Sequence, residues 1–287
     1  MKQAYIKYIL ALLLFGSNGI VASHISLSSY EIVFTRTLIG SIFLILIFLI
    51  LKGKFRIPEN KKHLVYIMIS GSAMGASWMF LYEAYSQIGV SIATLVYYCG
   101  PVLIVACSPF LFRERISFIK IIGFFSVLLG MIFLNQDSFL QNGFSWGLLC
   151  GLLAALMYVF MIVFNKKAIS IMGIENAIAQ LSISFFVVAI FTFIKQGSII
   201  IQFQRESIFP ILLLGIINTG IGCYLYFSSI QKLEAQSVAI LGYLEPVSAL
   251  LFSAMLLHEH LSFIQIIGAV LILGGAMLGE FFHRKPV

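Results

Sequence analysis

A few ionisable residues lie inside long apolar stretches of the chain, where they could bind a charged solute or move a proton. Glu245 is the leading candidate, because it lies near the middle of an apolar run and immediately precedes Pro246, whose ring frees a backbone carbonyl of the previous turn. A carboxylate at that depth could exchange a proton between two sides of a membrane or neutralise a cationic substrate group. The alternative is a structural Glu that is protonated or paired.

Two further charged residues, Glu83 and Arg36, lie in the outer third of two other apolar runs, at depths comparable to each other. Both could contact a substrate, and one arginine together with two acids would suit the carboxylate and ammonium groups of an amino acid. Equally, Glu83 and Arg36 could pair with each other and lock two helices together. Both interpretations stay open at this point.

Polar and aromatic side chains at a similar depth could complete a binding pocket. Their amides and hydroxyls form hydrogen bonds, and their ring faces attract ammonium groups. Because Tyr97 and Tyr98 are adjacent, they point about 100° apart on a continuous helix, and we expect only one to face the pocket squarely. The candidates are Asn18, Trp78, Tyr97, Tyr98, Asn218, Tyr224 and Tyr243.

Membrane helices are the elements that must position these residues. The chain has 287 residues, of which 61% are hydrophobic and 10% charged, and its mean hydropathy of +1.05 is too high for a soluble protein. Ten apolar runs, numbered here as spans 1 to 10, each approach the roughly 20 residues that cross a bilayer. They lie near residues 4–22, 30–51, 63–86, 91–112, 117–134, 144–165, 177–194, 207–230, 237–257 and 262–281.

The basic residues are distributed unevenly between the two ends of these spans. If the N-terminus is cytoplasmic, all but three of the 18 lysines and arginines lie on the cytoplasmic side, the exceptions being Arg36, Lys195 and Arg205. This asymmetry follows the positive-inside rule. It predicts a multi-pass protein of the cell membrane with both termini in the cytoplasm, and the net charge of +7 is then a matter of topology rather than of nucleic-acid binding.

One long passage occurs twice. Residues 101–130 and 246–275 share the pattern Pro-Val, a long apolar helix, Glu, Ser-Phe and Ile-Ile-Gly, at an offset of 145 positions. We therefore divide the chain into two units of five spans, residues 1–143 and 144–287. Since five is odd, the second unit enters the membrane from the opposite side to the first, and the repeats are inverted. Such repeats place a substrate site near the membrane midplane.

The residues that the repeats share favour structural roles. Glu114 and Glu259 each precede, by three residues, a serine that can cap the next helix, so we expect both to serve folding. Although Glu259 lies between two histidines, the residues that flank Glu114 are arginines, so we expect no metal site. At the position of Glu245, by contrast, the first repeat has Gly100, and such a difference is where specificity could arise. Candidate hinges, with packing as the alternative, are Pro101, Pro246, Gly220 and Gly222.

The repeated pattern resembles the EamA-type domain of the drug/metabolite transporter superfamily, in its ten-span subgroup. The resemblance covers essentially the whole chain and implies an all-α integral membrane protein built of two inverted five-helix repeats. It also implies a secondary active transporter, most often an exporter of amino acids or related small metabolites such as organic cations. Alternating access would occur around a midplane cavity formed mainly by spans 1, 3, 4, 6, 8 and 9.

Other function classes are less favoured. A facilitative or uptake carrier for a cationic or zwitterionic solute is the main alternative. A channel usually has a more continuous polar stripe, and an intramembrane enzyme needs a nucleophile with a base, or a metal set, which the spans lack. No P-loop is present, so we expect gradients to supply the energy. The expected partners are a small-molecule substrate, a coupled proton and the lipid bilayer, without nucleic acid or cofactor; a homodimer stays open.

Overall fold

The computed structural model describes residues 1–53, 61–134, 146–197, 201, 204–256 and 262–281, and the regular structure in these ranges is helical. The predicted boundary between residues 143 and 144 lies outside them, as does Glu259. Some spans consist of one helix and others are interrupted and consist of two or three. The helices are Lys2–Gly16 and Asn18–Ser23 (span 1), Ser29–Ile50 (2), Lys61–Ile88 (3), Val90–Tyr97 and Cys99–Phe112 (4), Phe118–Leu134 (5), Trp146–Lys167 (6), Gly173–Gln196 (7), Ile208–Leu212, Leu213–Ile221 and Gly222–Ile230 (8), Ala235–Gly242 and Leu244–Leu256 (9), and Phe263–Phe281 (10).

These helices confirm the predicted all-α membrane fold. Seven spans of the described chain are long and apolar enough to cross a membrane as they stand. The remaining apolar helices are shorter, but Cys99–Phe112 continues directly from Val90–Tyr97, which together give span 4 its length. Because ten spans are an even number, the first and the last span have their outer ends on the same side of the membrane. We call the side that holds Met1 the terminal face and the opposite side the far face.

Spans 4 and 9 are both interrupted near their middle, at Tyr98 and Tyr243. Each interruption lies three residues before a proline, Pro101 or Pro246. Proline has no N–H to donate, and its ring collides with the carbonyl four residues earlier, which here belongs to the last residue of the first helix. The prolines therefore explain why both spans consist of two shorter helices.

Pairs of residues 145 positions apart meet across a two-fold axis. The Tyr243 hydroxyl donates to the Tyr98 carbonyl oxygen at 2.8 Å, and the two rings stack with centroids 5.4 Å apart. Spans 5 and 10 also cross closely, because a Cβ atom at Gly130 would lie 2.5 Å from one backbone oxygen of span 10, and one at Gly275 would lie 2.5 Å from the equivalent oxygen of span 5. These reciprocal contacts are those of an inverted repeat.

Six spans form two bundles of three, each containing helices from both repeats. Span 6 packs on spans 3 and 4, and its repeat counterpart, span 1, packs on the counterparts of those two, spans 8 and 9. We call spans 1, 8 and 9 bundle A, and spans 3, 4 and 6 bundle B. Spans 2 and 7 pack against these bundles from outside, while spans 5 and 10 pack on each other.

The local structure confirms the two predicted serine caps and shows a further irregularity in span 8. The hydroxyl oxygens of Ser117 and Ser262 accept hydrogen bonds from backbone N–H groups three residues later, at 3.2 Å in both repeats, so each serine caps the following helix. Span 8 contains a π-helix, Leu213–Ile221, in which the Thr219 hydroxyl donates to the Leu214 carbonyl five residues earlier. π-helical turns often occur at functional sites.

Candidate functional site

A cavity lies between bundles A and B. The space that its wall and open mouth enclose is about 720 Å³. All six spans of the two bundles contribute to the lining, and Arg36 joins them from span 2. The lining consists of Tyr8, Leu12, Phe15, Asn18, Arg36, Met74, Ser77, Trp78, Tyr97, Tyr98, Pro101, Tyr158, Met161, Cys223, Tyr226, Phe227, Gly242 and Glu245.

Arg36 places a positive charge on this cavity. Its guanidinium carbon lies over the ring of Trp78, 4.7 Å from the centroid, which is a cation–π arrangement. Only 6% of the residue is exposed, and its Nε has no hydrogen-bond partner in the described chain. A buried guanidinium without a carboxylate partner is costly, because its charge has lost the stabilisation by water. Arg36 is therefore well prepared to receive an anionic group from the cavity.

Glu245 supplies the opposite charge. It lies in the first turn of Leu244–Leu256, directly after the interruption of span 9, and is partly exposed to the cavity. In the part of the chain that the structure describes, no side-chain hydrogen bond or ion pair within 4.0 Å occupies its carboxylate, and Arg36 is farther away than that. The cavity thus holds one cationic and one anionic group that do not neutralise each other directly.

Aromatic rings cover much of the remaining wall. Tyr8 packs against Tyr226 with ring centroids 5.4 Å apart, and Tyr97 packs against Tyr158 at 5.6 Å. The Tyr8 hydroxyl donates to the Val238 carbonyl at 2.7 Å, so its ring is held in place within bundle A. Such walls suit apolar or aromatic groups and can also attract cations.

Several of these lining residues were not among the sequence candidates. Tyr8, Tyr158 and Tyr226 could have been noticed as tyrosines inside apolar spans. Ser77, Met74 and Met161 carried no comparable signal, because small polar and apolar residues occur throughout the spans. Their position in the wall depends on which helix face each bundle turns inward.

The expectation that only one of Tyr97 and Tyr98 faces the pocket was wrong, since both line it. The angle of about 100° between neighbours holds for a continuous helix. Here the helix ends at Tyr97, and a new helix begins at Cys99. The interruption lets both rings reach the cavity, where they contact each other with centroids 5.6 Å apart.

Glu83 lies outside the cavity lining, and Arg36 is not its partner. Its carboxylate accepts hydrogen bonds from Lys195 at 2.9 Å, from Gln87 at 3.3 Å and from the hydroxyl of Tyr30. The pairing of Glu83 with Arg36, one of the two sequence interpretations, is therefore replaced by a pairing of Glu83 with Lys195. This ion pair joins span 3 to span 7 near the far face.

Three more candidates support the cavity without being part of its wall. The Asn218 amide donates to the Leu14 carbonyl and to the side chains of Ser17 and Asn18 at 2.8–3.0 Å, which connects span 8 to span 1. Tyr243 is fully buried behind Tyr98. Tyr224 packs under the ammonium group of Lys7, with Nζ 5.2 Å from the ring centroid.

Of the four candidate hinges, Pro101 lines the cavity, and Pro246 directly follows the lining residue Glu245. A Cβ at Gly220 would come within 2.8 Å of the Phe43 ring, and one at Gly222 within 2.7 Å of the Phe15 ring. Both glycines therefore have packing contacts in this structure. A hinge role for these residues stays a prediction.

Comparison with known proteins identifies the group to which this architecture belongs. The model of the EamA-like transporter family matches residues 2–136 and again residues 145–279. The chain belongs to the EamA-like transporter family. Membership confirms the family that the repeated sequence pattern suggested, and it also confirms that the protein is a transporter rather than an enzyme.

Individual relatives extend over most of the chain. An uncharacterised transporter of Bacillus subtilis, YxxF, is 27% identical over 281 residues, covering 96% of this chain and 89% of that protein. A protein of Escherichia coli named "Probable amino-acid metabolite efflux pump" is 28% identical over 222 residues, 73% of this chain and 74% of that one. One solved crystal structure superimposes with a TM-score of 0.82 at 21% identity, covering 98% and 99% of the two chains, and shows the shared fold.

The cavity of this EamA-like protein agrees with what the family resemblance implied. Among the described residues, spans 1, 3, 4, 6, 8 and 9 form its wall, and Arg36 alone comes from another span. The chain is a multi-pass membrane protein whose partners are a small-molecule substrate and the lipid bilayer. The chemistry of that substrate depends on the groups that face the cavity.

Proposed function

We propose that this protein is a secondary active exporter of small zwitterionic metabolites, namely amino acids with an apolar or aromatic side chain. The observation that carries this proposal is the presence of Arg36 and Glu245 on one cavity, each without a neutralising partner in the described residues. An α-amino acid brings the two complementary charges. Its binding would satisfy both charged groups at once, which neither a neutral solute nor a simple cation would do.

Each part of the substrate has a matching part of the wall. The planar guanidinium of Arg36 suits a carboxylate, which it can bind through two parallel hydrogen bonds. Glu245 suits the ammonium group, and the rings of Tyr8, Tyr158 and Tyr226 suit the side chain. The relative named as an amino-acid metabolite efflux pump supports both the substrate class and the direction.

The remaining elements of the proposal concern topology and energy. We assign the terminal face to the cytoplasm of the cell membrane, because the basic residues concentrate there. We place the boundary of the two repeats between residues 143 and 144. Glu245 also accepts a proton when no ammonium group is bound, so that a proton enters as an amino acid leaves. Alternating access then occurs by movement of bundle A against bundle B.

Transport in proteoliposomes tests this function. We expect saturable uptake of a radiolabelled apolar or aromatic amino acid that accelerates when the vesicles contain the same unlabelled amino acid, and that responds to an imposed pH gradient. Glu245→Gln should abolish the response to the pH gradient, because the amide cannot take up a proton. Glu206→Gln is the matched control, since Glu206 lies in the short 3₁₀ helix Arg205–Ser207, exposed and away from the cavity.

Three outcomes would contradict the proposal. Flux that does not saturate and shows no counterflow would indicate a channel. Saturable flux that ignores the pH gradient in the wild-type protein would indicate a facilitative carrier. Wild-type pH dependence in the Glu245→Gln variant would remove Glu245 from the proton pathway, whatever the substrate.

A further inference from the structure

Bundles A and B are connected by polar contacts at the terminal face. Glu114, at the end of span 4, accepts hydrogen bonds from the first two backbone N–H groups of span 9, Ala235 at 2.6 Å and Gln236 at 3.1 Å. The Gln236 side chain in turn donates to the Ser108 hydroxyl at 2.9 Å. Because the first N–H groups of a helix have no partner within that helix, the carboxylate of one bundle completes the helix terminus of the other.

The connection between spans 8 and 9 is held by basic and amide side chains as well. The ammonium group of Lys166, at the end of span 6, donates to the carbonyl oxygens of Ile230, at 3.0 Å, and Leu233. Lys120 pairs with Glu234 at 2.6 Å. In the other direction, Gln231 donates to the Asn165 carbonyl at the end of span 6 and to the Ala168 and Ile171 carbonyls of the following connection, at 3.0–3.2 Å. The contacts of Lys166 and Gln231 join the two bundles and must break if the bundles separate on this face, whereas Lys120 belongs to span 5, outside both bundles.

Burial shows which end of the cavity is closed. All eight residues of Ala235–Gly242, the half of span 9 toward the terminal face, are buried. In Leu244–Leu256, the half toward the far face, only Val247 and Ser248 are. The repeat counterpart of Ala235 on the far face is Val90, which is 61% exposed, whereas Ala235 is 0% exposed. Together with the contacts of Glu114 and Lys166, this burial shows that the terminal face is closed, and we infer that the far face is the more open side.

We propose that Glu114 is a latch that stabilises the state closed at the terminal face, and that its release from span 9 is a step of the transport cycle. This inference rests on the alternating movement of the bundles in the proposed function. A hydrogen bond to a charged group is worth roughly 10- to 150-fold in an equilibrium constant, so the two contacts of Glu114 bias the equilibrium toward the closed state. The Lys120–Glu234 pair adds less, since the Glu234 side chain is 54% exposed.

Glu114 is one of the residues that both repeats share, and the sequence predicted a folding role for it. Its contacts with span 9 indicate a further role. Ser117 already caps the helix that follows Glu114, so the carboxylate is not needed there. It instead contacts a helix that lies far away in sequence and belongs to the opposing bundle. A residue placed in this way acts on the equilibrium between two states rather than on the stability of its own helix.

Hydrogen–deuterium exchange of the full chain in lipid nanodiscs, without substrate, tests the latch. In Glu114→Gln we expect exchange to rise about tenfold in residues 235–242. We also expect exchange to fall in residues 90–97, because the far face closes when the terminal face opens. Ser70→Ala is the matched control. It removes a buried hydrogen bond to the Met161 carbonyl, at 2.7 Å, within bundle B, and should change stability without this reciprocal effect.

The outcome in residues 90–97 decides the question. Faster exchange confined to the first turn of span 9, with no added protection in residues 90–97, would show that Glu114 is merely a helix cap and would overturn the proposal. If Glu114→Gln does not fold, Lys166→Met, which removes other contacts between the bundles, should give the same reciprocal pattern. Because no substrate is used, a protein that transports no amino acid but shows this pattern would refute the proposed function and leave the latch supported.

Discussion

Arg36 offers the sharpest test of how the cavity recognises its substrate. We predict that Arg36→Gln weakens the binding of an amino acid but leaves the binding of the corresponding amine, which lacks the carboxylate, nearly unchanged. Glutamine keeps a polar side chain near Trp78 and loses the positive charge. If the guanidinium binds the substrate carboxylate, only ligands that carry a carboxylate should detect the substitution.

The magnitude follows from the geometry of the site. A hydrogen bond to a charged group contributes about 1.5–3 kcal/mol, and Arg36 is 6% exposed, so that screening by water is weak. Loss of the charge should therefore raise the Kd of the amino acid roughly 10- to 150-fold. The cation–π contact with Trp78 is lost as well, but this loss affects every ligand equally and cancels in the comparison with the amine.

Trp78 itself can report binding. The chain has two tryptophans, and Trp146 is 57% exposed, so Trp146→Phe leaves Trp78 as the fluorophore beneath Arg36. Titration of this background and of its Arg36→Gln derivative with amino acid and amine gives the four dissociation constants that are needed. Equal weakening of both ligands would refute the reasoning and would mean that Arg36 merely supports the Trp78 ring.

Two predictions concern stability outside the cavity. Gly275→Leu should destabilise the protein by about 1–3 kcal/mol in a thermal unfolding assay, because a Cβ there would lie 2.5 Å from the Gly123 carbonyl oxygen. Gly274→Leu, at a position with open space, should be nearly neutral in the same assay. Lys195→Met should lower the melting temperature, because the Glu83 side chain, which is 4% exposed, loses its cationic partner. The KM of transport should not change, since this ion pair lies outside the cavity.

The sequence was sufficient for the fold because a bilayer leaves few choices. Apolar runs of about 20 residues, an asymmetric distribution of basic residues and an odd number of spans per repeat together determine ten helices in two inverted units. The bilayer does not determine which face of each helix turns inward. For that reason Arg36, Trp78 and Glu245 could be selected as charged or aromatic residues at suitable depth, whereas the lining residues Met74 and Met161 could not.

Charge pairing was the least predictable feature. Glu83 and Arg36 lie at similar depth, and sequence alone allowed them to pair with each other. The structure pairs Glu83 with Lys195, which the sequence placed in a loop, and leaves Arg36 over an aromatic ring. Long lysine side chains can extend from a helix end to a partner inside the membrane, so the position of a Cα atom in a loop says little about where its ammonium group lies.

The difference between Gly100 and Glu245 acquires a physical meaning from the structure. A Cβ at Gly100 would lie 2.9 Å from the Tyr158 ring and 3.1 Å from the Ala155 carbonyl, so the packing of span 6 on span 4 leaves no room for a side chain there. Glu245, at the equivalent point of the other repeat, faces the cavity. In the transport cycle that we propose, the two related bundles move against each other, so that one side of the membrane opens while the other closes. Glutamate in place of the glycine gives this cavity an acidic group as well as the basic group of Arg36, and we propose that this difference between the repeats serves substrate recognition while their shared frame serves movement.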